Sequence, residues 1–223
     1  MNEKGKNKID IFKSVKSEAI TGLSPELLET GMDLITDSEV LKDIPIFGIG
    51  IKGFSLYQKI TEAFFTKKLL KFLIELKNIP LAERKKFINE LESKNETANA
   101  GERLLITLNR LDDENKATLI GKLFNHTILG KLNYDEFKRL THIIDNAYID
   151  DLNLLKNNPH LSYINPDVKS NLHQLGLLNQ SVSDLGEEMK FRQRVSGSTD
   201  GAKIKLLFKI NAIGLKFIEY GFE

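Results

Sequence analysis

Apolar residues recur along most of this chain at the three- and four-residue spacing of helices. The pattern begins near Leu23 and runs almost unbroken to Asn157. Ser24, Pro25 and Glu26 supply an N-cap, a proline at the first helical position and a first-turn acid, and Leu27, Leu28, Met32 and Ile35 give an apolar face. After Pro45 a long segment carries Phe47, Gly50, Phe54, Tyr57, Ile60, Phe64, Leu69, Phe72, Leu73 and Leu76 near helical spacing, and Asn78 and Pro80 end it. Three shorter helices are predicted at about 81–93, 98–111 and 114–129. Gly130 then suits a left-handed stop, and Asn133 with Glu136 forms a capping-box pattern. A helix from Tyr134 follows, with Phe137, Leu140, Ile144, Tyr148, Leu152 and Leu155 on one face, ending before Pro159.

Beyond Pro159 the period changes. Residues 166–178, "PDVKSNLHQLGLL", read as one short helix with Val168, Leu172 and Leu175 inward. Lys190, Arg192 and Arg194 alternate with Phe191, Gln193 and Val195, and after "SGSTDGA" Lys203, Lys205, Leu207 and Lys209 alternate with Ile204, Leu206, Phe208 and Ile210. Period two predicts a hairpin with one apolar and one basic face. A final helix packs Ile213, Phe217 and Ile218. The expected fold is therefore mainly α: a flexible polar arm at 1–22, a helical bundle at 23–158, and a small winged-helix-like α+β tail with one β-hairpin at 159–223. The winged-helix order is an analogy of fold and implies no DNA binding by itself.

Composition narrows the function classes. The chain has 223 residues, 41% hydrophobic and 28% charged, enough to bury a core without a partner. Its formal charge of +1 supplies no global field toward nucleic acid or an anionic membrane, so an electrostatic site must be local. Without cysteine there is no disulfide, thiolate metal site or cysteine nucleophile. The basic N-terminus lacks the apolar core and cleavage site of a secretory signal, and the longest charge-free run, Ile44 to Ile51, is far short of a bilayer span. These features point to a cytoplasmic protein, peripheral to the inner membrane face at most.

Two candidate contact regions stand out. "IPIFGIGIKGF" places Gly48, Gly50 and Gly53 in the spacing of a dinucleotide loop, but helices follow where a βαβ unit needs a second strand, so close helix packing is the better reading. The same region offers Phe47, Ile51, Phe54 and Phe64, followed by Lys67 and Lys68, a set suited to a partner protein or a membrane surface as well as to a core. The second region is the basic hairpin, where Lys190, Arg192, Arg194, Lys203 and Lys205 could meet phosphates or an acidic partner; its plainer role is protecting an exposed strand from aggregation. The histidines are scattered, with no H-E-x-x-H and no paired E-x-x-H, and no G-x-S-x-G is present. No cofactor, metal or small-molecule substrate is expected.

The order of the whole chain resembles a known family. A helical front with a Pro/Gly-rich apolar segment leads to "LIGKLFNHTILGKLNYDEFKRLTHIIDNAYIDDLNLLK", then "NLHQLGLL", then "LFKINAIGLKFIEYGF". This resembles the bacterial abortive-infection alpha type family, in which a helical region ends in an "L-x-x-L-G-L" helix and an "L-T-x-x-G-x-x-F-I" closing segment. Gly214, Phe217 and Ile218 match, whereas Asn211 replaces the usual Thr. The resemblance covers about the last hundred residues and implies a link to phage defence without a catalytic residue. The expectation is a non-enzymatic defence protein that binds a partner protein or a second copy of itself. A membrane-acting effector using the segment after Pro45 and a nucleic-acid-binding regulator using the hairpin are the alternatives.

Overall fold

The computed structural model describes residues 10–28, 39–48, 56–93, 99–198 and 204–223. The protein is mainly helical, with a small two-stranded antiparallel ladder near the C-terminus. It forms two compact units, which divide between Asp145 and Asn146 rather than near residue 158.

The first unit holds α1 (Ile11–Val15), two 3-10 turns (Glu18–Gly22 and Pro25–Leu28), α2 (Glu39–Lys42), α3 (Pro45–Gly48), α4 (Leu56–Ile74), α5 (Leu81–Ser93), α6 (Ala100–Arg110), α7 (Glu114–Ile128) and α8 (Tyr134–Asn146). Its centre is the crossing of α4 and α7. Phe124 of α7 lies among four rings: Phe72 of α4 at 5.6 Å between centroids, Phe87 of α5 at 5.6 Å, Phe137 of α8 at 5.0 Å and Phe12 of α1 at 6.4 Å. Rings at these separations add to their area burial, so one side chain joins five helices.

The expected polar arm at residues 1–22 is corrected from Asp10 onward. Asp10 caps α1 by accepting from the Phe12 N–H, and Ile11, Phe12, Val15 and Ile20 are buried. Arg84, fully buried on α5, donates to the carbonyls of Val15 at 2.6 Å, Ser17 at 2.8 Å and Ile79 at 3.0 Å. The lysines and asparagines around these residues masked an apolar face with helical spacing. Ser14 also accepts from the backbone N–H of Ile46 at 3.0 Å, placing the front of "IPIFGIGIKGF" in the core with Ile44 and Ile46 buried.

Two local predictions appear as read. Gly130 adopts φ +75°, and Asn133 and Glu136 exchange side-chain bonds with each other's backbone N–H at 2.9 and 3.1 Å. The single helix expected from Tyr134 to Leu155 is instead two: α8, and α9 (Ile149–Asn157). Tyr148 is extended at the N-cap, with Asp150 and Asp151 in the first turn of α9, where acids favour a helix start.

The second unit continues with α10 (Pro166–Gln174), β1 (Leu178–Val182), α11 (Leu185–Ser196), β2 (Leu206–Ile210) and α12 (Ala212–Phe222). β1 and β2 pair antiparallel, with Leu178 opposite Ile210, Gln180 opposite Phe208 and Val182 opposite Leu206. The hairpin strand expected at Lys190–Val195 is corrected: that stretch is helix α11, and the partner of β2 is Leu178–Val182. Asp184 caps α11 by accepting from Gly186 and Glu187, Gly197 closes it at φ +73°, and Glu188 bonds Arg192 one turn on. These cap and i,i+4 signals outweigh a short alternation of basic and apolar residues.

The α4–α7 crossing makes a sharp prediction. A Cβ at Gly121 would lie 2.8 Å from the Phe72 carbonyl oxygen and 3.0 Å from Glu75 Cβ. Alanine favours a helix over glycine by about 1 kcal/mol, but a clash with backbone costs about 1–3 kcal/mol and cannot be relieved by rotation. Gly121→Ala should therefore lower the urea unfolding midpoint, although helix propensity alone predicts a rise.

Candidate functional site

The first predicted contact region is largely committed to internal packing. Phe47 is half-buried in α3, while Ile51 and Phe54 lie outside the described residues. Phe64 stands on α4 with 60% of its surface exposed. The lysines after it turn to the protein. Lys67 and Lys71 both pair with Glu114 at 2.9 Å, and Lys68 is buried, donating to the carbonyls of Asn109 at 2.9 Å and Leu111. Burial pushes the Lys68 ammonium below its ordinary pKa, partly offset by Asp112. Lys68 thus closes the α6–α7 turn. Among the described residues no helix is long and apolar enough to cross a membrane.

The second predicted region is rearranged. Lys190 and Arg194 are exposed on α11, one turn apart. Arg192 faces elsewhere and bonds Glu188 at 3.0 Å, and Lys205 reaches the same carboxylate at 3.3 Å. Hydrogen bonds from Arg192 and then Lys205 hold the Glu188 carboxyl below its ordinary pKa. Lys203 lies outside the described residues. Of the four predicted cations that are described, Arg192 and Lys205 are thus engaged by Glu188, while Lys190 and Arg194 stand exposed on α11.

Exposed apolar side chains are frequent in this part of the molecule instead. α11 buries none of its residues, although Leu185, Met189, Phe191 and Val195 recur at helical spacing. Phe191 is 62% and Val195 71% exposed. Leu206 and Val182, opposite each other at the outer end of the ladder, are exposed as well, as are Leu207 and Ile204. Leu178 at the other end is buried, and Phe208 rests against the His173 ring at 6.2 Å. The apolar half of the sequence alternation was legible; its exposure was not, because exposure depends on which element covers it.

A third feature had no sequence signal at all. α6 and α8 line a groove of about 440 Å³ within the first unit. Arg103 and Arg110 enter it from α6, two turns apart, and Tyr134, Lys138, Thr141, His142 and Asp145 from α8. Arg110 is held by Asp145 through Nε and Nη2. Nothing in a one-dimensional pattern brings residue 103 to residue 138; the bundle does. Among the described residues no group of three or more His, Asp and Glu side chains is placed to hold a metal ion.

No family model, curated protein or solved structure matches the chain.

The lysines of the two regions should separate in stability measurements. Lys68→Met leaves two carbonyls without their donor and should cost about 1–3 kcal/mol in urea unfolding. Lys190→Met should stay within about 0.5 kcal/mol of the parent. A lipid-facing Lys68 would instead show weakened vesicle binding at unchanged stability.

Proposed function

We propose that this chain is a non-enzymatic protein of bacterial phage defence that acts by binding a partner protein through the apolar face of its second unit. One observation carries the reading: α11 is a twelve-residue helix with no buried residue, on which Phe191 and Val195 are exposed, and Val182 and Leu206 are exposed on one face of the ladder in the same unit. Contiguous apolar surface with a polar rim is what protein interfaces bury. Scattered exposed apolar residues need no explanation, but four large ones on a single twelve-residue helix that buries nothing do.

Charge on the same helix narrows the partner's chemistry. Lys190 and Arg194 are exposed on α11, whereas Asp184 is occupied as a cap and Glu188 by two cations. The occupant that complements this face is a protein surface with an apolar centre edged by carboxylates. Phage defence enters through the resemblance of the C-terminal segments, in which the "L-x-x-L-G-L" stretch from Leu172 to Leu177 and Gly214, Phe217 and Ile218 carry the match. Gly214 is sterically required in this fold, since a Cβ there collides with the Leu177 carbonyl oxygen, and Asn211 serves in place of the usual Thr by accepting from the Gly214 N–H at 2.9 Å. The shared residues thus support a common fold of the tail, and the function is inferred from it. The membrane alternative is weakened by the inward commitments of Lys67 and Lys68, and the nucleic-acid alternative by the dispersal of the basic residues.

The double variant Phe191→Asp with Val195→Asp removes the apolar face without touching a packed residue. Its stability should stay within about 0.5 kcal/mol of the parent. Cells making the parent chain should plate at least one phage with reduced efficiency, and the double variant should abolish that protection. Unchanged plating across a broad phage panel, or full protection by the folded double variant, would overturn the proposal.

A further inference from the structure

We infer that the groove between α6 and α8 is a binding site for a phosphoryl group carried on a small molecule. Three fixed cations, Arg103, Arg110 and Lys138, line it against one carboxylate, Asp145. His142 adds a fourth nitrogen base to the same wall. Asp145 pairs with Arg110 and Asp135 with Lys138, so the groove keeps a net excess of one positive charge, at Arg103.

The geometry of the cations suits oxyanion binding. Asp145, whose side chain is 8% exposed, grips Arg110 through Nε and Nη2, which fixes the plane of the guanidinium and leaves Nη1 for another acceptor. The Arg103 guanidinium makes no hydrogen bond or ion pair with any described residue. Lys138 sits 5.4 Å above the Tyr134 ring and is tethered at 2.7 Å to Asp135, which lies outside the groove lining. An anchored guanidinium, a free one and an ammonium around one space can together meet several oxygens of a phosphoryl group, with the guanidinium forks bidentate.

Neutral donors complete the set. The Thr141 hydroxyl is buried with no hydrogen-bond partner among the described residues, and Thr141 is itself only 8% exposed in the groove wall. A buried polar group without a partner is costly, and a bound ligand or its water would satisfy it. The Tyr134 phenol is pushed above its ordinary pKa by burial, so it stays a neutral donor rather than a competing anion. At the groove's end Asn99, the N-cap of α6, makes no capping bond from its side chain. Leu104 and Phe137 supply apolar floor, and Phe137 stacks with Tyr134 at 5.8 Å. A volume of about 440 Å³ with a mixed apolar and cationic lining is that of a small-molecule site. The class of ligand is a phosphorylated small molecule of nucleotide size, held by its phosphates.

Calorimetric titration of the full chain with pyrophosphate, ADP and adenosine tests this. Pyrophosphate and ADP should bind, and ADP should bind at least about tenfold more tightly than adenosine, since charge-assisted hydrogen bonds carry the contact. Arg103→Gln with Lys138→Gln changes two exposed residues, so the variant should fold as the parent does and lose at least about tenfold in affinity for both anions. Lys85→Gln with Lys131→Gln, an equal loss of charge at two exposed residues outside the groove, should leave binding unchanged. Equal affinity for adenosine and ADP, no binding of either anion at millimolar concentration, or equal losses in the groove and control variants would each overturn the assignment.

Discussion

Everything in the first unit is arranged around the approach of α7 to α4. The two helices come so close at Gly121 that the Phe72 carbonyl occupies the space a Cβ would need. One turn further on, Asn125 donates to the Glu75 carbonyl at 2.6 Å, and Phe124 inserts among rings from four other helices. The groove inherits its walls from this cluster. Phe12, stacked on Phe124, lies where a side chain on Gly101 of α6 would sit, and Phe137, in contact with Phe124, is itself part of the groove floor. Positions of Arg103 and Lys138 are thus set by apolar packing behind them, which gives exposed cations a rigid base.

Charge is partitioned between structural and unspent groups. Arg84, Lys68 and Lys116 are buried cations that satisfy backbone carbonyls or a nearby acid: Arg84 ties α1 to α5, Lys68 closes a turn, and Lys116 pairs with Asp112 at 2.5 Å. Removing one partner from such a group leaves a buried polar atom without compensation, so these residues belong to folding. Arg103, Lys190 and Arg194 have no such task. A sequence that is nearly neutral overall can therefore leave cations exposed in two places, one in a groove and one on a surface helix.

The helices of residues 81–128 were legible almost to the residue, because their apolar faces, Pro80 and the polar breaks agree. Gly130 and the Asn133–Glu136 box were legible because each fulfils a local geometric need that few residues meet. The errors share a physical origin. Lys190 to Val195 alternates like a strand, yet a strand needs a neighbour, and Leu178–Val182 took that place beside β2; the stretch then followed its caps into a helix. The first residues after Asp10 looked like an arm because charged residues surround Ile11, Phe12 and Val15, and only Arg84, 69 residues from Val15, reveals that this segment is anchored. Gly121 carries no signal different from any other helical glycine. The groove was illegible for the same reason: its cations lie 35 residues apart and are joined only by tertiary packing.

The second unit poses a question of stability that bears on its surface. A helix of twelve residues with no buried side chain receives no core packing, and isolated helices of that length are marginal in water. α11 is held instead by local devices: the Asp184 cap, the left-handed Gly197, and Glu188, whose carboxylate joins Arg192 on the helix to Lys205 beside β2. Such devices contribute about 0.3–1.5 kcal/mol each and leave Phe191 and Val195 exposed. A helix maintained in that way keeps Phe191 and Val195 in register before any encounter, so ordering costs at an interface are reduced. The balance is fine, because the same exposed residues that suit a partner also promote self-association. Lys190 and Arg194 on the same helix limit that outcome, since two copies meeting through α11 would bring like charges together, whereas an acidic partner would not.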